Sequence, residues 1–439
     1  MGEQKHNNYL LCLLSVVLLF NYVDRQFLGI ALQDIKLEFH LTDTQLGFLG
    51  GFSFALFYSV MGIPIARWAD RGNRVTIIAL TTGLWSLAVT LCGVAGSFAQ
   101  LLLVRIGVAI GEAGCIPPAL SLIASYFTRP ERPRAVALYY IGGTFSYVVG
   151  FFLAGWLNEF FGWRVTFMLL GVPGVVLAVL AWLTLREPRK SGLLSTSSSC
   201  APAQPGLIEV GLTLWGNVTF RHLLLCQSVL YFFVFGIGQW VPSFFMRSYS
   251  QTSGQVGTLL ALVQLFGGVL GTYFGGAWAS RYAAEKEPLQ LKVMGMALAS
   301  CAPLYAMVFL SHNPYVTWTL WGVSTFALFW TNGPLMATIQ TLVPERMRAM
   351  SFALVFLSAN LIGAGFGPLA AGALSDAMRP WAGEESLRYA LLILSPGVLW
   401  AGWHIWRASQ TVTRDIARQV NDDRTKGDDK EETDVVSVA

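Results

Sequence analysis

Twelve stretches of this chain are each apolar for about twenty residues or more, and little in the sequence constrains the fold as strongly. They fall at about 9–32, 45–66, 75–96, 98–126, 135–157 and 163–185, then at 222–246, 255–280, 291–311, 315–342, 349–374 and 387–406. A helix rising 1.5 Å per residue needs roughly twenty residues to cross ~30 Å of hydrocarbon. Hydrocarbon offers no partner for backbone N–H and C=O groups, so long apolar spans are helices. The composition agrees, with 54% hydrophobic and only 12% charged residues, where a soluble domain carries about a quarter charged. The expected fold class is an all-α polytopic membrane protein with twelve transmembrane helices.

Charge placement predicts the orientation. Of 29 Lys and Arg, five fall in the expected outer loops (Lys36, Arg164, Arg247, Arg379 and Arg388) and two, Arg25 and Arg105, within spans. The remaining 22 lie on the other side, which the positive-inside tendency makes cytoplasmic, with both termini there. A multi-pass protein of a plasma or bacterial inner membrane is expected. The first apolar run continues without a small-residue cleavage site, so it is expected to remain as a span. The six cysteines form no C-x-x-C pair and read as small buried hydrophobes.

Between residues 186 and 219 the composition turns to Ser, Pro and charge, a linker with a short surface helix expected near 207–217. The expected organisation is a six-helix bundle over 1–185, this linker, a second bundle over 220–407, and a disordered cytoplasmic tail over 408–439. The halves repeat one another. Pro130-Glu131-Arg132-x-Arg134-Ala135 returns as Pro344-Glu345-Arg346-x-Arg348-Ala349, and Ala66-x-Trp-Ala-Asp70-Arg71 returns in degraded form as Gly276-Ala-Trp-Ala-Ser280-Arg281. Such a parallel six-plus-six repeat relates two bundles by a pseudo-two-fold axis. It implies a substrate site near mid-bilayer and access that alternates between the two sides.

Ionisable residues in the spans mark function, because each is costly in hydrocarbon unless paired or wetted. Asp24 and Arg25 lie in the first span, Arg105 and Glu112 in the fourth. Helical rise puts Asp24 and Arg105 both ~10–12 Å from the outer surface, with Glu112 about 10 Å deeper. Arg105 is expected to pair with Asp24 in one state and with Glu112 in another, binding or releasing a proton as it changes partner. A fixed ion-pair brace is the competing reading. Arg25 sits about 100° round the helix from Asp24, so it either meets an anionic substrate or snorkels outward. Tyr58, Tyr139, Gln239, Trp240, Trp330, Asn332 and Asn360 are candidate cavity residues, with interhelical hydrogen bonding or packing as the alternative for each.

Other chemistries find no support. No G-x-x-x-x-G-K-[S/T] loop is present, the five histidines are scattered without metal-ligand spacing, and no nucleophile–base pair is visible. Neither an enzyme, a cofactor, a metal nor a nucleic-acid partner is expected. The expected partners are a small-molecule or lipid-like substrate, protons and the bilayer, and the expected state is a monomer.

Asp70-Arg71-Gly72-Asn73-Arg74 resembles the signature loop between spans two and three of the major facilitator superfamily, with Asn where the usual D-R-x-G-R has Gly. Together with Asn21-Tyr-x-Asp24-Arg25, Arg105…Gly111-Glu112-Ala113 and Trp240-Val-Pro242-Ser-Phe244…Arg247, it resembles the spinster-like branch. That resemblance implies a cytoplasmic gate involving Asp70, Arg71, Arg74, Glu131, Arg134, Glu345 and Arg348. It also implies a secondary active transporter, proton-coupled, for a small amphiphilic organic anion or lysolipid. The anion:cation symporters share Asn-Tyr-x-Asp-Arg and move sugar acids and other organic acids, so they imply the alternative substrate class. A membrane sensor that binds without transporting is the remaining alternative.

Overall fold

The structure is a computed structural model that describes residues 2–188, 207–344 and 347–438. Every regular element among these residues is helical. The first half contains α1 (Gly2–Phe39), α2 (Asp43–Gly47), α3 (Ser53–Arg71), α4 (Arg74–Cys92), α5 (Phe98–Glu112), α6 (Ile116–Tyr126) and α7 (Arg132–Thr184). Then come α8 (Leu207–Trp215), α9 (Val218–Gly238), α10 (Val241–Tyr249), α11 (Ser253–Val263), α12 (Leu270–Tyr282) and α13 (Glu287–Leu310). The chain ends with α14 (Pro314–Trp330), α15 (Asn332–Leu342), α16 (Arg348–Ser358), α17 (Gly365–Ala382), α18 (Ser386–Leu394) and α19 (Gly397–Val438).

All of these helices but α8 compose the twelve expected spans, and they outnumber them because several spans are interrupted. A π-helical turn joins α2 to α3 (Phe48–Phe52), α11 to α12 (Gln264–Val269) and α16 to α17 (Ala359–Ala364). Spans five and six both fall within α7, which is two helices meeting at Gly162, whose φ of 74° is open to glycine at little cost. Helix starts follow local chemistry. Asn73 caps α4 by accepting from Thr76 N, and Ser97 caps α5 by accepting from Gln100 N. Two capping boxes, Thr42 with Gln45 and Thr252 with Gln255, open spans two and eight in the same way. The sequence repeat thus extends to T-x-x-Q-x-G at both places, ending on Gly47 and Gly257.

The described chain forms two compact units that cut across the sequence halves. One comprises Met1–Ser199, Val234–Leu265 and Asn360–Leu394; the other comprises Cys200–Phe233, Phe266–Ala359 and Ser395–Ala439. The first gathers α1–α7 with α10, α11, α17 and α18, because ends of spans seven, eight and eleven pack against the N-terminal helices. Within it α1 runs along α7 so closely that a Cβ on Gly142 would lie 2.0 Å from the Ser15 carbonyl oxygen. Its core includes Leu14, Leu18, Ile78, Leu122 and Tyr139. The outward faces of its helices stay apolar at Leu103, Phe160, Trp182 and Leu183, as a lipid-facing surface requires.

In the second unit α13 packs on α14 and α19. His222 and His404 bring their Nδ1 atoms to 3.0 Å. The tail differs from expectation, since α19 continues through Val438. Its first extra turns are held: Ala408 and Val412 are buried, and Asp415 accepts from the Thr219 amide (3.0 Å) and hydroxyl (2.8 Å). Linker residues 189–206 lie outside the described residues, and the short helix expected after them is α8. Cys92, Cys115, Cys226 and Cys301 are buried free thiols, whereas Cys12 is exposed.

Candidate functional site

The four ionisable residues of spans one and four converge inside the first unit. Ser97 starts α5 and the chain leaves it after Glu112, so that helix presents Arg105 and Glu112 two turns apart on one face. A Cβ on Gly111 or Gly114 would meet Trp85 or Thr81 at 2.6 Å or less, so α4 seats directly against the opposite side. Asp24 and Arg105, 1% and 2% exposed, pair at 3.1 Å between Oδ2 and Nη1. Glu112, fully buried, takes a different cation from the one expected: Arg25 Nε donates to its Oε2 at 2.6 Å. The 100° offset between Asp24 and Arg25 sends the longer arginine past its neighbour toward Glu112.

Arg25 does not snorkel. Its guanidinium lies 4.7 Å from the Tyr22 and Phe54 ring centroids and 4.8 Å from that of Tyr58, a cation–π enclosure on three sides. Its side chain is 22% exposed, whereas Asp24, Arg105 and Glu112 are sealed. Arg25 is therefore the accessible member of a four-charge cluster, and Tyr58 stands beside it.

The other cavity candidates have diverse surroundings. Tyr139 is buried in the α1–α6–α7 core, with its hydroxyl 4.0 Å from Cys115 Sγ. Trp240 is buried too, its Nε1 donating to the Pro368 carbonyl at 3.0 Å. Both are packing residues here, because an aromatic ring closed off by neighbouring helices presents no surface to a ligand. Gln239 lies over α1 and the first π-turn, its Nε2 3.2 Å from where a Cβ on Gly50 would stand. Asn360 is half-buried in the third π-turn. Trp330 and Asn332 belong to the second unit, where Trp330 packs near Trp278 and Phe326 and Asn332 opens α15.

The signature loop separates into two kinds of residue. Asp70 and Arg71 are exposed at the end of α3. Arg74, expected with the gate residues, is instead buried and braced inside the first unit. It forms a bidentate pair with Glu187 and also donates to the Ser121 carbonyl at 2.8 Å and Ser125 Oγ at 2.6 Å. Glu187 has no distinguishing sequence context, so nothing pointed to this brace. Glu131 and Arg134 are exposed, and Glu131 turns back to accept from Thr128 N (3.1 Å) and Oγ1 (2.6 Å). Those bonds hold its carboxyl below the usual carboxylate range. Arg348 Nε donates to the Gln340 and Val343 carbonyls, while Glu345 lies outside the described residues.

A second ionic site, at the end of the first unit expected to face outward, was not foreseen. Asp43 is 1% exposed and accepts from Lys36 Nζ (2.7 Å), both terminal nitrogens of Arg247 (2.8 and 2.9 Å) and Ser375 Oγ (2.7 Å). Arg247 Nε donates to Gln33 Oε1 at 2.6 Å. Asp376 completes the network by accepting from the Asp43 and Thr44 amides and the Thr44 hydroxyl. α1, α2, α10 and α17 are thereby tied together.

The first unit also has two bare backbone contacts. A Cβ on Gly47 would stand 2.4 Å from the Pro368 oxygen of α17, and one on Gly257 of α11 2.4 Å from the Phe151 oxygen of α7. The T-x-x-Q-x-G repeat and the arginine of the Trp240…Arg247 motif were the available signals.

A sealed charge cluster at mid-span, beside a helix bundle with a repeated architecture, defines a membrane carrier rather than an enzyme. The sequence profile of the Major Facilitator Superfamily matches residues 14–407, and the chain belongs to that family. An MFS-type efflux pump of Mycolicibacterium smegmatis is 32% identical over 92% of this chain and 93% of its own. A probable L-galactonate transporter of Escherichia coli is 26% identical over 87% and 84%. Among solved structures, a bacterial homolog of the human lysosomal transporter Spinster, inward-facing and unoccupied, superposes with a TM-score of 0.85. It is 29% identical and the match covers 93% of this chain and 98% of the other, which supports the spinster-like branch.

Proposed function

We propose that this transporter is a proton-coupled secondary carrier of a small amphiphilic organic anion or lysolipid. The observation that carries the reading is the unequal exposure of the two ion pairs. Asp24–Arg105 is sealed, whereas Glu112 is buried against an arginine that retains 22% exposure within an aromatic enclosure. An anionic substrate reaching Arg25 competes with Glu112 for the guanidinium. Glu112, left buried without a cation, then favours its neutral form and takes a proton. Proton and anion occupancy are thereby linked through one side chain. Tyr22, Phe54 and Tyr58 supply apolar faces next to the charge, which suits an amphiphile.

The likeness to a Spinster homolog supports the lysolipid side of this reading, and the likeness to an efflux pump supports export. Sugar-acid symport is the second reading, favoured by the likeness to a probable L-galactonate transporter.

The test is flux in proteoliposomes under an imposed pH gradient, with radiolabelled lysophosphatidylglycerol and galactonate as separate probes. Gradient-driven flux of the lysolipid, uncoupled from the gradient by Glu112→Gln, is expected. Gradient-driven flux of galactonate alone would transfer the assignment to the second reading. Driven flux unchanged in an Asp24→Asn/Glu112→Gln double variant would refute coupling through this cluster.

A further inference from the structure

Asn21 belongs to the Asn-Tyr-x-Asp-Arg motif but takes no part in either ion pair. It is 1% exposed, and neither its Oδ1 nor its Nδ2 has a hydrogen-bond partner. An asparagine that braced two helices would show a bond to the neighbouring helix. Buried side-chain amides are rarely left unpaired, because losing water without a replacement bond is costly.

Helix geometry indicates what the amide serves. The face of α1 that meets α7 carries Ser15, Leu18, Tyr22, Val23 and Gln26. Asn21 and Asp24 lie on another face, three residues and about 4.5 Å of rise apart, in a stripe with the buried Val17 and Leu28. Asn21 is therefore one turn from Asp24 in the direction in which Glu112 lies deeper than Arg105. Each acid spends one oxygen on its arginine and leaves the other, Asp24 Oδ1 and Glu112 Oε1, buried and unpartnered. One turn of α1 from Asp24 there is thus a buried amide with both a donor and an acceptor unspent, and each acid holds one unspent oxygen.

We propose that Asn21 is a positioning residue for the proton held between Asp24 and Glu112. Turned toward the acids, its Nδ2 would donate to whichever carboxyl is ionised and its Oδ1 would accept from whichever is protonated. An amide suits this task because it serves both protonation states without changing charge. The charged groups facing the site are Asp24 and Arg25 on α1 and Arg105 and Glu112 on α5. The other ionisable neighbours are the phenols of Tyr22, Tyr58, Tyr140 and Tyr147 and the thiols of Cys92 and Cys115. Phenols and thiols are ordinarily neutral at physiological pH, so the two acids are the groups that exchange the proton. The proposal rests on the proton-coupled reading above.

The test is an infrared pH titration of the full-length protein in lipid nanodiscs, following the carboxylic-acid C=O band. Asp24→Asn and Glu112→Gln assign the band. If it titrates identically without either acid, the proton-coupled reading fails, and Asn21 with it.

If the band is assigned, Asn21→Leu should move its midpoint to higher pH by on the order of one unit, because a bond to an ionised acceptor outweighs one to a neutral acid. Asn21→Ser, which keeps a donor and an acceptor, should restore most of the shift. A Leu variant with wild-type thermal stability and wild-type midpoint overturns the proposal, as does a Ser variant shifted as far as Leu. Wild-type protein carrying isotope-labelled asparagine needs no variant to fold. One amide C=O band should move at the carboxyl midpoint, and no movement overturns the proposal while leaving proton coupling intact.

Discussion

Replacing Arg247 by methionine isolates the ionic network around Asp43. The side chain is 7% exposed and makes three hydrogen bonds, two to Asp43 and one to Gln33. Breaking a buried pair by removing one partner costs about 3–5 kcal/mol. Lys36 and Ser375 remain on Asp43, so the lower end, ~3 kcal/mol, applies. The arginine bonds only across this contact between α10 and α1–α2, so the loss falls on the tied arrangement and not on the folded helices themselves. At 1.36 kcal/mol per decade, the opened population rises on the order of 100-fold.

Amide exchange reads this in the same network, because the Asp43 and Thr44 N–H groups donate to Asp376 across the adjoining contact of α2 with α17. Exchange at residues 43–47 should accelerate by about that factor while α4 and α5 keep their protection. Unchanged exchange there, or acceleration spread evenly over the first unit, would refute a latch at Asp43.

Three further outcomes are expected. Gly257→Val places side-chain atoms against the Phe151 carbonyl 2.4 Å from the Cβ position, so α11 and α7 must separate; exchange should rise at residues 253–263, with a stability loss of about 1–3 kcal/mol in chemical unfolding. Asn73→Ala removes the α4 cap and should cost about 1 kcal/mol, whereas Asn73→Gly, the residue of the common motif, should cost only a few tenths. Glu131 is held below the usual carboxylate range by Thr128, so the order it adds is complete above the unfolded value and is lost as pH falls through the lowered folded value. Protection of the Thr128 amide, measured relative to Glu131→Gln, should therefore vanish on acidification.

The spans and the sealed acids were legible because hydrocarbon tolerates so few patterns. A run of twenty apolar residues has one backbone solution, and a charge inside it must find a partner. Helical rise alone put Asp24 level with Arg105, as their pairing shows. What rise and rotation do not specify is the reach of a long side chain, and Arg25 crosses to Glu112 from a position pointing elsewhere. Asp43 was missed because it lies in a short polar turn between apolar runs, while its partners Arg247, Ser375 and Asp376 lie 204 to 333 residues away. Arg74 was read from its motif, yet its buried surroundings are decided by Glu187, a residue with no signature at all. The tail read as disordered from composition, but Thr219 supplies the bonds that keep its first turns helical.

The glycine seams at Gly47 and Gly257 carry a kinetic consequence. Where two helices meet main chain to main chain, no rotamers need resetting as they part or rejoin, and little side-chain order is exchanged. Such a seam can open and close repeatedly with little friction, which leaves the pace of its motion to side-chain bonds such as those at Asp43.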